Sequence, residues 1–244
     1  PLTSMLDELD TYRQTKDYDR GLKLVEKALQ KYPNNFLVNF RCGRILTFFG
    51  MEKNSVESTE RAISLLYRSI ELFSQNTDEE ISEVEIYSNI AECYMFIGKS
   101  EEALALLKKH NPGGLNNATI AMIYAVNINK PELAFPYLTK SLGEILQSLL
   151  RTILGFSNAY IQKKQFNQAY EALTWLIQIL NGFKSSERSV TYIEKLVAIF
   201  NAGSAILAVQ LNRFEDAKDH LRQAYSLAKL FDAHPDYGMR NLRF

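Results

Sequence analysis

Glycine and proline are scarce in this chain, 11 and 6 among 244 residues. A sandwich or barrel needs many turns built from those two residues, so an all-β architecture is excluded. Leu, Ala, Glu, Lys and Gln are plentiful instead, and all favour helix. There are two cysteines, Cys42 and Cys93, with no CxxC pair and no histidine at metal-ligand spacing. They read as buried thiols of a reduced, cytoplasmic compartment, and neither a disulfide framework nor a zinc site is expected. An excess of charge is missing too. Lys and Arg total 28, as do Asp and Glu, and zero net charge argues against nucleic-acid binding through a basic face of this chain. The longest apolar run, Leu196 to Val209, is interrupted by Asn201 and Ser204 and falls short of the ~20 residues that span a bilayer. No membrane helix is expected.

Catalytic signatures are absent as well. His110, His220 and His234 are scattered, without HExxH, a partner cysteine or a serine elbow, and no GxGxxG or GxxxxGK[ST] occurs. Neither enzymatic activity nor a metal or cofactor is expected. His110 falls where a helix cap is expected. Asn111 to Gly114, "NPGG", reads as a breaker between helices, and Glu79 to Glu85, "EEISEVE", as a solvated helix start.

What the chain does have is a repeat. Tyr87, Ile90, Tyr94 and Ile97 form one stripe at helical spacing, Gly98 supplies a left-handed stop, and a second helix begins near Ser100 with Glu101 and Glu102 in its first turn. Two small residues twelve apart, Ala91 and Ala103, let the backbones of that hairpin approach closely, while Tyr94 fills the wedge beside them. The order recurs with Leu9, Tyr12, Gly21, Val25, Ala28 and Pro33; with Ser157, Tyr160, Ala169, Leu173 and Leu176; and with Ala205, Ala217, Leu221 and Ala224. Two further units are irregular. Gly43 to Ala62 is seven residues longer, which predicts an extended turn at Met51–Ser58, and Ala121 to Ala134 is longer by one. Pro131 suits a first helical turn, whereas Pro136 predicts a kink or a late start there.

These residues resemble the tetratricopeptide repeat, a 34-residue helix-turn-helix unit with small residues at its eighth and twentieth positions and an aromatic at its eleventh. The pattern departs at the family's tryptophan position, occupied here by Met5, Asn39, Tyr87, Asn117, Ile153 and Asn201, while the single tryptophan, Trp175, lies in a second helix. The resemblance implies an all-α, right-handed α-solenoid of about six helical hairpins, one domain over 1–244, with first helices lining a concave wall. On that register Arg41, Arg44, Asn89, Glu92, Asn158 and Gln162 face inward. The amides can serve the backbone of an extended peptide, and an arginine can hold a carboxylate. They do not reproduce the lysine and asparagine arrangement of chaperone-type carboxylate clamps.

The C-terminal stretch is similar to the ends of bacterial regulators that join an Xre-type helix-turn-helix DNA-binding domain to a tetratricopeptide sensor region. Phe231, Asp232, Pro235, Tyr237, Arg243 and Phe244 carry that resemblance. It implies a ligand-sensing, self-associating region that binds a peptide or protein segment, meets DNA only through a domain upstream of Pro1, and can form a homodimer. The alternative is a stand-alone scaffold or adaptor for protein partners.

Overall fold

A computed structural model describes residues 2–184 and 190–237, and among them there are eleven α-helices and no β-strand. They pair into hairpins. The first three are α1 (Leu2–Thr15) with α2 (Tyr18–Lys31), α3 (Phe36–Lys53) with α4 (Val56–Glu71), and α5 (Glu83–Phe96) with α6 (Ser100–Lys109). Next come α7 (Asn117–Met122), continued by a π-helical turn over Ile123–Asn127, and α8 (Pro131–Gln162). The last are α9 (Phe166–Gly182), α10 (Tyr192–Gln210) and α11 (Phe214–Ala233). Counting α8 as the second helix of a fourth hairpin and the first of a fifth gives the expected six.

Each hairpin turns on one left-handed residue. Lys16, Asn54, Gly98, Asn129, Lys164 and Asn212 have φ of 55°, 52°, 78°, 55°, 57° and 58°. The residue after five of them donates its N–H five positions back, as in Lys99 to the Tyr94 carbonyl at 2.8 Å and Gln165 to the Tyr160 carbonyl at 2.9 Å. That bond closes a Schellman cap and satisfies a carbonyl the helix end leaves open. At the fourth turn the same bond spans six positions, Lys130 to the Tyr124 carbonyl at 2.7 Å. The extra residue between Ala121 and Ala134 is the cause. It is taken up by the π turn, which widens the helix by one residue and lets both flanking faces keep their phase.

The seven-residue excess between Gly43 and Ala62 behaves similarly and corrects the expected long turn. Met51–Lys53 are helical, the turn is only Asn54 and Ser55, and α3 and α4 grow by about one turn each. Seven residues are nearly two turns at 3.6 per turn, so the apolar stripe returns to its face. Gly50 allows the added turns to meet, since a Cβ there would lie 2.4 Å from Thr59 Oγ1. Pro136 departs from expectation too. The helix starts at Pro131 and runs through Pro136, with Pro136 and Glu132, whose carbonyl loses its donor, both solvent-exposed.

The chain divides into two compact units, Pro1–Ser141 and Leu142–Phe244, the division falling inside α8. In the first, α3 contributes eleven buried residues and packs against α1, α2, α4 and α5. Leu9, Val25, Phe40, Leu46, Leu66, Ile86 and Ile90 belong to this core, and a second cluster joins Ala91, Ala103, Leu107, Ile120 and Ile123. In the other unit, Ile153, Leu176, Leu180, Val197 and Leu207 form the core, with α10 between α9 and α11. α10 is long and apolar enough to cross a bilayer by length and composition, but over half of that stretch is buried against its neighbours. Every small anchor predicted from the repeat is buried, Ala91 and Ala103 completely. Within each unit the hairpins stack as in an α-solenoid.

Candidate functional site

The first-helix faces of the two units differ in chemistry. In the first unit the face is charged. Arg41 on α3 donates to Asp10 on α1 at 2.8 Å, and Arg44, one turn on, lies 3.5 Å from Glu85 on α5 and 5.6 Å from the Phe40 ring. Asn89 donates from Nδ2 to the Glu85 carbonyl at 2.8 Å. Glu92 ends the row at the surface; burial of its surroundings raises its pKa, and Arg44 pulls it back. Four expected site residues, Arg41, Arg44, Asn89 and Glu92, therefore fall in one row. The arginines read from the sequence as hands for a ligand carboxylate already rest on the chain's own carboxylates. Such half-exposed pairs contribute ~0–1 kcal/mol, so an incoming carboxylate could displace Glu85 from Arg44 at small cost. Arg41 makes the shorter pair, 2.8 Å against 3.5 Å, and its Nε is buried without a hydrogen-bond partner.

In the second unit Asn158 and Gln162 are solvent-exposed on α8. Ile199, Ile206 and Val209 are exposed on α10, at 52%, 65% and 46%, and with Ala202 they follow helical spacing along one stripe. A sequence pattern of helical period marks such residues as core; their exposure is visible only once the faces are assigned. Sequence reading also missed a groove of about 340 Å³ between α8 and α9, lined by Ile153, Phe156, Tyr160, Gln168, Glu171, Ala172 and Trp175. Its signal was the tryptophan displaced from the family's usual position.

At two of the positions that depart from the repeat, Asn39 and Asn201, hydrogen bonds replace the expected ring. Asn39 donates to the Pro33 and Asn35 carbonyls at 2.9 and 2.8 Å. Asn201 donates to the Val197 carbonyl at 2.8 Å and accepts from His220 Nδ1 at 2.7 Å. His220 Nε2 meets the Tyr170 hydroxyl at 3.0 Å, so this histidine is a bonded, partly buried group, its pKa lowered by burial. His110 caps α6 through its backbone N–H to Leu106 and stacks on Tyr87 at 3.6 Å. Burial pushes the Cys42 thiol up to about 12 and raises Cys93, which contacts Thr47 Oγ1 at 3.1 Å. Neither is poised as a nucleophile. Among the described residues no group of three or more His, Cys, Asp or Glu is arranged to hold a metal ion.

At the C-terminal end Phe231 is buried, and Tyr237 meets it edge-on at 5.2 Å while accepting from Lys195 Nζ at 3.0 Å. Phe231 and Tyr237 thus fasten the last described segment onto α10 and α11. Arg243 and Phe244 lie outside the described residues.

No curated protein matches this chain. Among solved structures, it resembles the MamA protein at 15% identity over 96% of this chain and 95% of the other, with a TM-score of 0.39. It also resembles a Podosopora anserina protein described as a kinesin light chain with nearly identical TPR-like repeats, at 14% identity over 96% and 97%, with a TM-score of 0.36. Residues 84–109, the α5–α6 hairpin, match the tetratricopeptide repeat, a unit of protein-interaction scaffolds.

Proposed function

We propose that this chain is a non-catalytic sensor region that binds a peptide or protein segment along its first-helix faces, and that it serves a cytoplasmic bacterial helix-turn-helix regulator. The observation that carries the binding reading is the set of side chains that each unit's core leaves unused: Arg44, Asn89 and Glu92 in the first unit and, separately, Asn158, Gln162, Ile199 and Ile206 in the second. Amides bond an extended backbone, exposed isoleucines take apolar side chains, and Arg44 takes a carboxylate. Ligand binding would act by population shift, favouring one packing of the hairpins over another.

Peptides selected from a random display library against the whole chain are the probe. Arg44→Ala should weaken peptides that bind the first unit about tenfold and Asn158→Ala those that bind the second, roughly one charge-assisted or bidentate contact, and unchanged affinity in both removes the assignment. The regulator reading requires a helix-turn-helix encoded upstream of Pro1. A parent reading frame without one would leave a stand-alone adaptor using the same face.

A further inference from the structure

The α8–α9 groove is built wholly from the second unit, by two helices that reverse direction at the left-handed Lys164. Residues equally far from that turn come abreast in the hairpin: Tyr160 with Gln168, Phe156 with Ala172, and Ile153 with Trp175. Ile153 is buried and forms the floor, and the short side chain of Ala172 leaves room above it. Phe156 and Trp175 are 57% and 54% exposed at the rim. The Phe156 and Tyr160 rings are stacked, 23° from parallel with centroids 6.3 Å apart. Aromatic faces carry the negative lobe of the ring quadrupole, so the walls of this groove favour positive charge.

Its charged chemistry has the same sign. Glu171 is the one charged residue of the lining, and among the described residues no Lys, Arg or His lines the groove. Asn167 Nδ2 donates to Glu171 Oε1 at 3.0 Å, which orients the carboxylate. Elsewhere the chain completes this combination of ring and carboxylate with its own arginines. The Arg213 guanidinium lies over the Tyr170 ring at 4.4 Å and donates to Asp216 at 2.6 Å. Arg44 lies over Phe40 at 5.6 Å, with Glu85 3.5 Å away. In the groove the rings and the carboxylate are present together, and the complementary cation belongs to another molecule.

We infer that the α8–α9 groove binds a basic side chain of a partner protein, arginine in preference to lysine, with the cation against the Phe156 and Trp175 rings and paired with Glu171. Arginine is preferred because its planar guanidinium stacks on ring faces and sheds water more readily than an ammonium. Gln168 adds a side-chain carbonyl that accepts from a guanidinium N–H. A groove of about 340 Å³ admits one such side chain with its aliphatic stem, and the stem covers apolar surface on the way in. Asn158 and Gln162 stand two residues beyond Phe156 and Tyr160 and therefore lie on another face of α8. The groove is thus a site separate from the peptide faces, and either reading can fail alone.

Trp175 is the chain's single tryptophan, so its fluorescence reports on the groove directly. Nα-acetyl-arginine amide titrated into the whole chain should shift that emission saturably at about millimolar concentration, the range for so small a ligand. Nα-acetyl-citrulline amide, nearly the same shape without the charge, should bind at least about fivefold more weakly, with Nα-acetyl-lysine amide between the two. Glu171→Gln should weaken the arginine probe about fivefold and leave citrulline unchanged, and Phe156→Leu should weaken the arginine probe about threefold. Both positions are exposed, and circular dichroism checks the fold. Equal binding of citrulline and arginine, an affinity indifferent to Glu171→Gln, or the lack of any saturable shift would each overturn the assignment. An emission that moves with protein concentration alone would overturn it too, since the occupant would then be a second copy of the chain.

Discussion

Gly21 occupies a place where the other hairpins carry alanine: Ala62, Ala103, Ala134, Ala169 and Ala217. By pattern alone, Gly21→Ala restores the rule and adds ~1 kcal/mol of helix propensity. The geometry predicts the opposite sign. A Cβ at Gly21 would lie 2.5 Å from Phe49 Cε2 and 2.7 Å from Cζ, and Phe49 is 2% exposed and braced edge-on by Tyr18 at 4.9 Å. Overpacking costs typically ~1–3 kcal/mol; contacts this short against a buried, braced ring belong to the upper part of that range, about 2–3 kcal/mol, which leaves a net loss of about 1–2 kcal/mol after the propensity gain. Gly155→Ala is the control. It lies in α8, where a Cβ would meet nothing within 4 Å, and should gain about 0.5–1 kcal/mol. Urea unfolding followed by far-ultraviolet circular dichroism reads both. Phe49→Leu in the Gly21→Ala background removes the offending ring atoms, and a double-mutant cycle should return a favourable coupling. A Gly21→Ala protein as stable as the wild type would show that helix packing around Phe49 is looser than described, and the reasoning from close approach would fail.

Lys164 adopts a left-handed conformation that strains a side chain by about 1 kcal/mol; Lys164→Gly should therefore raise stability by about 0.5 kcal/mol after the entropy glycine adds to the unfolded chain, seen as a higher melting temperature. Gly98→Ala, at φ 78°, should lower it by ~1 kcal/mol or more. For pH, burial lowers the pKa values of His220 and His110, so both bind protons more readily unfolded than in the fold. Their contribution is intact above the ordinary histidine value of ~6.5 and is lost as pH falls through it toward the lowered folded values. Urea midpoints taken from pH 7.5 to 5.5 should fall, and the His110→Gln, His220→Gln double variant should flatten that slope; an unchanged slope would assign it to other groups.

Much of this architecture could be read from residue order, because small residues twelve apart and a helical stripe are local statements. The buried Ala91 and Ala103, the left-handed Gly98 and the start of α6 at Ser100 follow from a few neighbouring residues each. Irregular units were legible as excess length but not as form. Whether seven added residues become loop or helix depends on whether the added turns can pack on each other, and the close approach of Gly50 to Thr59 across the hairpin allows it. The left-handed Lys16 and Lys164 were invisible for a similar reason: the Schellman bonds and hairpin packing hold them there against their own preference.

The sequence by itself determined the helical class, the hairpin unit and its anchors, since each rests on spacing within one or two turns. Tertiary structure decided the rest: that Arg41 and Arg44 pair with Asp10 and Glu85, that α8 runs through Pro136, and that Ile199 and Ile206 are left in water. Those outcomes depend on which surfaces meet. Two side chains far apart in sequence pair or stay exposed according to the packing of whole helices, and no local pattern encodes that.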